Sequence, residues 1–103
     1  MNFMSSGRRQ ERHAISGDVS LRQRGGTRYP ASIKDVSTGG CRVELSQVMN
    51  VGDLMFIRLP GLETLQGTIR WTDGWVAGVE FDTPMHPSVL DMVEERIRSK
   101  RGN

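Results

Sequence analysis

The chain has 103 residues, 36% of them hydrophobic and 25% charged, which is enough for one modest core and not for two. Its longest apolar run is LMFI at 54–57, far short of the ~20 residues that cross a bilayer, and MNFMSSGRR lacks the apolar stretch of a secretory signal, so a cytoplasmic protein without membrane insertion is expected. Cys41 is the single cysteine, which excludes an internal disulfide, and with His13 and His86 it gives no ligand set at zinc spacing, so neither a structural metal nor a cofactor is expected. The net charge of +2 is unevenly spread: residues 1–34 hold seven Lys or Arg against two acids, and residues 35–103 hold seven against ten. A basic N-terminal third on a mildly acidic body points to an anionic partner, whether phosphate, nucleic acid or an acidic protein face, with a solvated basic tail as the plain alternative.

In chain order, residues 1–7 are small or polar without a period and read as a disordered tail. A basic arm follows at 8–13. Apolar residues then alternate loosely through Ile15, Val19 and Leu21 until Gly25-Gly26 marks a tight turn. The return strand RYPASIKDV puts Ala31, Ile33 and Asp35 on one face and Ser32, Lys34 and Val36 on the other, with Pro30 confined to an edge or bulge. After the STGG reversal, CRVEL alternates with Cys41, Val43 and Leu45 inward and Arg42 and Glu44 outward; Cys41 reads as a small buried apolar residue. NVGD punctuates the chain before LMFIRLP, a strand apolar enough to be covered on both faces, and Pro60-Gly61 ends it.

LQGTIRWT places Leu65, Gly67, Ile69 and Trp71 on one face, and WVAGVEFD does the same for Trp75, Ala77, Val79 and Phe81. A simple two-residue turn at Asp73-Gly74 would set Arg70 against Ala77 and Thr68 against Val79, solvent opposite core. A longer loop or a bulge is therefore expected, bringing Ile69 and Trp71 inside with Val79 and Phe81. Trp71 and Trp75 accordingly read as core and rim of the domain. Beyond Phe81 the period changes: Val89 or Leu90, Val93 and Ile97 recur at helical spacing and Pro87 suits a first helical position, so a helix is expected over about 87–101. Six short strands over about 14–82 and one helix make an all-β domain, a six-stranded antiparallel β-barrel with the helix across it or one end.

Two motifs carry chemistry. In RRQER, Arg8 and Arg12 share one side of an extended chain and also lie together on one helical turn, while Arg9 points away and adds supporting charge. A guanidinium is planar, forked and permanently charged, so it bonds the O6/N7 edge of guanine, grips a phosphate or stacks on a base. In DVSTGG, Asp35 and Ser37 are two apart at a strand end and face the same way, an acceptor for guanine N–H groups beside a hydroxyl. Gly39 and Gly40 permit positive φ in the reversal and let backbone N–H groups approach an anion. Read singly, RxxxR also describes a basic tail, and DxSxxG also describes a turn that stabilises its own reversal.

Taken together, RxxxR at Arg8 and Arg12 and DxSxxG at Asp35, Ser37 and Gly40 resemble the signature of the PilZ domain family, bacterial receptors for cyclic di-GMP; VGD, GTIRW and AGVEFD are similar to that family's strand patterns. The resemblance runs from Arg8 to the helix and implies a single domain over 8–103, a six-stranded barrel of split-barrel type with a C-terminal helix. It implies cyclic di-GMP as ligand, bound by Arg8, Arg9 and Arg12 from a flexible arm and by Asp35, Ser37, Gly39 and Gly40 on the barrel. It implies a ligand-operated switch acting on a downstream protein partner. His13 has two readings, facing the ligand or lying in a solvated loop.

A small basic barrel binding nucleic acid ranks lower, because the six aromatic residues sit mostly at core positions. A PilZ-like protein-interaction module without ligand binding is the other rival. No enzyme is expected: Ser37 has no histidine placed as its base, no Gly-rich loop opens a helix, and the acids form no catalytic pair.

Overall fold

The computed structural model describes residues 13–23, 25–62 and 64–101. The tail at 1–7 and the arginines Arg8, Arg9 and Arg12 lie outside them. Among the described residues six strands and one helix follow in chain order: β1 (His13–Gln23), β2 (Arg28–Val36), β3 (Gly40–Leu45), β4 (Leu54–Arg58), β5 (Leu65–Asp73), β6 (Val76–Phe81) and α1 (Pro87–Arg101). The strands close into an antiparallel barrel in the order β1-β2-β3-β6-β5-β4, the expected six-stranded architecture with its C-terminal helix. Closure leaves no free sheet edge.

Alternation builds the interior. Val19, Leu21, Ile33, Val43, Met55, Ile57, Ile69 and Val79 point inward and are buried, each contributing roughly 1.5–3 kcal/mol relative to an exposed side chain. Pro30 is accommodated because β2 pairs with β3 only from Ala31 onward, and its carbonyl accepts from Ser46 Oγ at 2.9 Å. On β4 the outer face is covered more thinly than expected: Met55 and Ile57 are buried, whereas Leu54 and Phe56 are only half-buried, and Phe56 lies beneath the Arg22 guanidinium. The β3–β4 connection is fastened by Asp53, whose Oδ2 accepts from the Asn50 N–H at 3.0 Å and from Gln23 Nε2 at 3.1 Å.

His86 caps α1. Its Nδ1 accepts from the Ser88 N–H at 3.1 Å and its carbonyl from the Val89 N–H at 2.9 Å, with Pro87 at the first helical position where no N–H is needed. The apolar stripe Leu90, Val93 and Ile97 is buried, and α1 packs against β1.

Register irregularities correct two sequence expectations. In β2, Ile33 lies opposite Val43 but Asp35 lies opposite Arg42, so Lys34 is an extra residue. The shift turns Val36 into the core, opposite Cys41 and fully buried, and moves Asp35 off the face of Ala31 and Ile33. In β5 a comparable shift falls between Ile69 and Trp71. Ile69 meets Val79 inside, as the bulge expectation required, but the following residues are displaced and Trp71 lies opposite Gly78, half-buried on the outside. Asp73 and Val76 then close a two-residue turn at Gly74 and Trp75, leaving Trp75 54% exposed.

The Trp71 indole packs against Gly78 because that residue has no side chain: a Cβ there would collide with the indole Nε1 and Cε2. Gly78→Ala is expected to lift the indole and destabilise the domain by about 1–3 kcal/mol, the usual cost of overpacking a close contact. Urea denaturation followed by tryptophan fluorescence measures both effects, and unchanged stability would contradict the packing described.

Candidate functional site

The extra residue at Lys34 sets the geometry of the DVSTGG segment, because a bulge bends its strand and re-aims the side chains that follow. Asp35 emerges opposite Arg42, and its Oδ2 accepts from Arg42 Nε at 2.9 Å and lies 2.9 Å from Nη2. The carboxylate is only 6% exposed, against 37% for the Arg42 side chain. Asp35 Oδ1 is buried without a hydrogen-bond partner among the described residues. A buried oxygen left unpaired costs free energy that an incoming N–H donor recovers. Asp35 is thus an oriented acceptor, held at one oxygen and unmatched at the other.

Ser37 shapes the reversal. Its N–H donates to the Gly40 carbonyl at 2.8 Å, its Oγ accepts from the Gly39 N–H at 3.2 Å, and the hydroxyl reaches the Gly40 carbonyl at 3.4 Å. The turn-stabilising reading of DxSxxG therefore describes part of what Ser37 does. Contrary to expectation, neither Gly39 nor Gly40 has positive φ; that conformation occurs at Gly25, Gly52, Gly61 and Gly74. The loop is instead fixed from outside: Thr38 O accepts from the Met85 N–H at 2.8 Å and Gly39 O from the Phe81 N–H at 2.9 Å. These bonds tie the reversal to the end of β6 and to the approach to α1.

Asp35, Ser37, Gly39 and Gly40 are thus gathered on one rim, all buried or nearly so. Arg8, Arg9 and Arg12 lie outside the described residues, and so does the His13 side chain; the His13 backbone opens β1 opposite Val36. Two neighbours escaped the sequence reading. Arg42 keeps the outward side that alternation predicts, but its pairing with Asp35 depends on the bulge, which sequence periodicity does not display. Trp71 was assigned to the interior. The register places Asp35, Arg42, Gly78 and Trp71 in one cross-strand row over β2, β3, β6 and β5, a carboxylate and a guanidinium in line with an indole.

Cys41 lies directly under this rim. Burial first, and the Asp35 charge second, push its thiol from 9.0 up to about 12. Among the described residues no cluster of His, Cys, Asp or Glu is arranged to hold a metal ion, and no helix is long and apolar enough to cross a membrane.

Two outcomes follow from this geometry. Arg42→Gln removes the partner of a buried carboxylate and is expected to cost about 1–3 kcal/mol in urea denaturation, with part recovered when Asp35→Asn is added; additive losses would show that the pair is not coupled. Because the fold favours the neutral Cys41 thiol, that contribution is complete below about pH 9 and fades as pH rises toward about 12. Native Cys41 is therefore expected to resist Ellman's reagent at neutral pH until the protein unfolds, and Cys41→Ala to flatten the alkaline decline in stability.

The family model of the PilZ domain matches residues 6–99. Among solved structures, the chain resembles the PilZ domain of CeSA from a cellulose-synthesizing bacterium, with a TM-score of 0.59 at 16% identity over 90% of this chain and 99% of that one. It also resembles the Bacillus subtilis inhibitor of motility MotI/DgrA, with a TM-score of 0.61 at 18% identity over 95% of this chain and 53% of that one, so it spans about half of that protein. At these identities the likeness is one of fold. No curated protein matches the chain in sequence. With the family match running from ahead of the arginine motif almost to the end of α1, and with the barrel and helix in place, the chain belongs to the PilZ domain family.

Proposed function

We propose that this protein is a cytoplasmic receptor for cyclic di-GMP that acts as a ligand-operated switch on a partner protein. PilZ domains are generally receptors for this messenger, and one observation carries the reading to these residues: the buried Asp35 carboxylate, fixed by Arg42 at one oxygen and unmatched at the other. Guanine presents adjacent N–H donors on one edge, and a pre-oriented carboxylate oxygen suits them. Ser37, Gly39 and Gly40 complete the fixed wall. Arg8 and Arg12, supported by Arg9, supply the phosphate and base contacts that a dianionic dinucleotide needs. Trp71, one strand beyond Gly78, offers a flat surface on which a base can stack.

In this reading the ligand neutralises the basic arm and joins it to the rim, so binding energy offsets the cost of ordering the arm and changes the surface a partner meets. One structural neighbour is the PilZ domain of CeSA and the other an inhibitor of motility; the process served here is set by the partner. Calorimetric titration with cyclic di-GMP tests the proposal. Arg12→Ala and Asp35→Asn are each expected to weaken binding by roughly 1–3 kcal/mol, about five- to more than a hundredfold, while circular dichroism shows the fold retained. Undiminished affinity in both folded variants would remove the assignment.

A further inference from the structure

Away from the Asp35 rim, β1, β2 and β4 carry three arginines on one outer face of the barrel. Arg22 lies opposite Arg28 across β1 and β2, and Ser20 lies opposite Arg58 across β1 and β4. Arg28 turns back along the sheet to donate from Nη1 to Ser20 Oγ at 3.0 Å, which carries its guanidinium toward Arg58. Arg22 is held 4.7 Å above the centre of the Phe56 ring, so its plane is already oriented. Lys34, Arg42, Arg70 and Arg98 each face a carboxylate; Arg22, Arg28 and Arg58 have none among the described residues. Their proximity is felt electrostatically, since partial desolvation and then the charges of Arg58 and Arg22 hold the Arg28 guanidinium below its usual pKa.

Beside Arg58 runs a shallow groove of about 350 Å³ whose apolar surface comes from Pro60 and Leu62 above the buried Val19 and Leu59, with Asp18 two residues beyond Ser20 along β1. Arg22 and Arg28 lie near the β1–β2 hairpin, and the groove beside Arg58 lies along the middle of β1, where Asp18 faces Ser32 and Val19 faces Ala31. Arg28 is separated from Asp35 by most of β2, roughly 20 Å at ~3.3 Å per residue, so it is distinct from the rim described above.

We infer that this face docks an acidic segment of a partner protein, whose carboxylates pair with Arg22, Arg28 and Arg58 and whose apolar side chain enters the groove. Charge complementarity selects the acid: forked guanidinium groups without carboxylate partners among the described residues match the planar two-oxygen geometry of Asp and Glu. The half-buried Pro60 and Leu62 select a peptide over a polyphosphate chain, because the latter has nothing apolar to place against them.

The test uses the full chain and a fluorescein-labelled synthetic peptide in which one leucine is flanked on both sides by glutamates, followed by fluorescence anisotropy at low and physiological ionic strength. Saturable binding is expected. Arg28→Ser and Arg58→Ser should each weaken it about two- to fivefold, as expected for solvent-facing ion pairs, and Leu62→Ser or a leucine-to-serine change in the peptide should weaken it further. Circular dichroism confirms that the variants fold. Absence of saturable binding, indifference to both arginine substitutions, or equal affinity for the leucine-free peptide would each overturn the inference. Tighter binding of a single-stranded oligonucleotide at the same ionic strength would overturn it as well, assigning the face to nucleic acid.

Discussion

The arrangement of the site rests on one extra residue in β2. With strict alternation, Asp35 would follow Ala31 and Ile33 into the core as a carboxylate without a partner, and Val36 would face solvent. Both outcomes are costly, the first by far the more so, because an isolated charge in an apolar interior loses its hydration. The bulge at Lys34 removes the conflict by reversing the parity of the strand: Val36 enters the core opposite Cys41, and Asp35 comes out opposite Arg42. Hydrophobic burial and ion pairing thus favour the same register, and that agreement fixes the register.

The same device recurs around the barrel. Register shifts occur in β1 between Ala14 and Gly17, in β2 between Ile33 and Asp35, and in β5 between Ile69 and Trp71. Bulges bend and twist a strand, which small closed sheets require. Two of the three also turn a side chain out of the barrel interior near the rim, the buried Asp35 from β2 and the half-buried Trp71 from β5. Curvature and functional placement therefore share a cause. The β2–β3 reversal gains its rigidity from outside, through backbone bonds to Phe81 and Met85, so the capping of α1 by His86 and the shape of the rim belong to one connected region.

The domain is consequently two-ended. The rim end is polar but closely packed, with a pre-oriented carboxylate and a thiol kept neutral by burial. The opposite side carries three guanidinium groups that face no carboxylate among the described residues, beside a shallow groove. In the proposed receptor the first end holds a small anionic ligand and the second remains available to a macromolecular partner, with the barrel as a stiff spacer between them.

Much of this was legible in the residues. The strands, the helix from Pro87 and the buried set from Leu21 to Val79 follow from periods of two and 3.6, because alternating or helical spacing of apolar residues is what burial on one face demands. DVSTGG was legible as a rim because the Asp-x-Ser spacing survives at a strand end, and the unlikely pairing of 70 with 77 exposed the need for a bulge in β5. What alternation does not display is where an extra residue falls, since a bulge is decided by which neighbours a strand meets across the sheet. For that reason the partnership of Asp35 with Arg42, the inward turn of Val36 and the outward position of Trp71 belong to the tertiary structure alone. So does the meeting of Arg58 with Arg22 and Arg28: the β1–β2 hairpin pairs the latter two, and only barrel closure between β1 and β4 brings Arg58 onto their face.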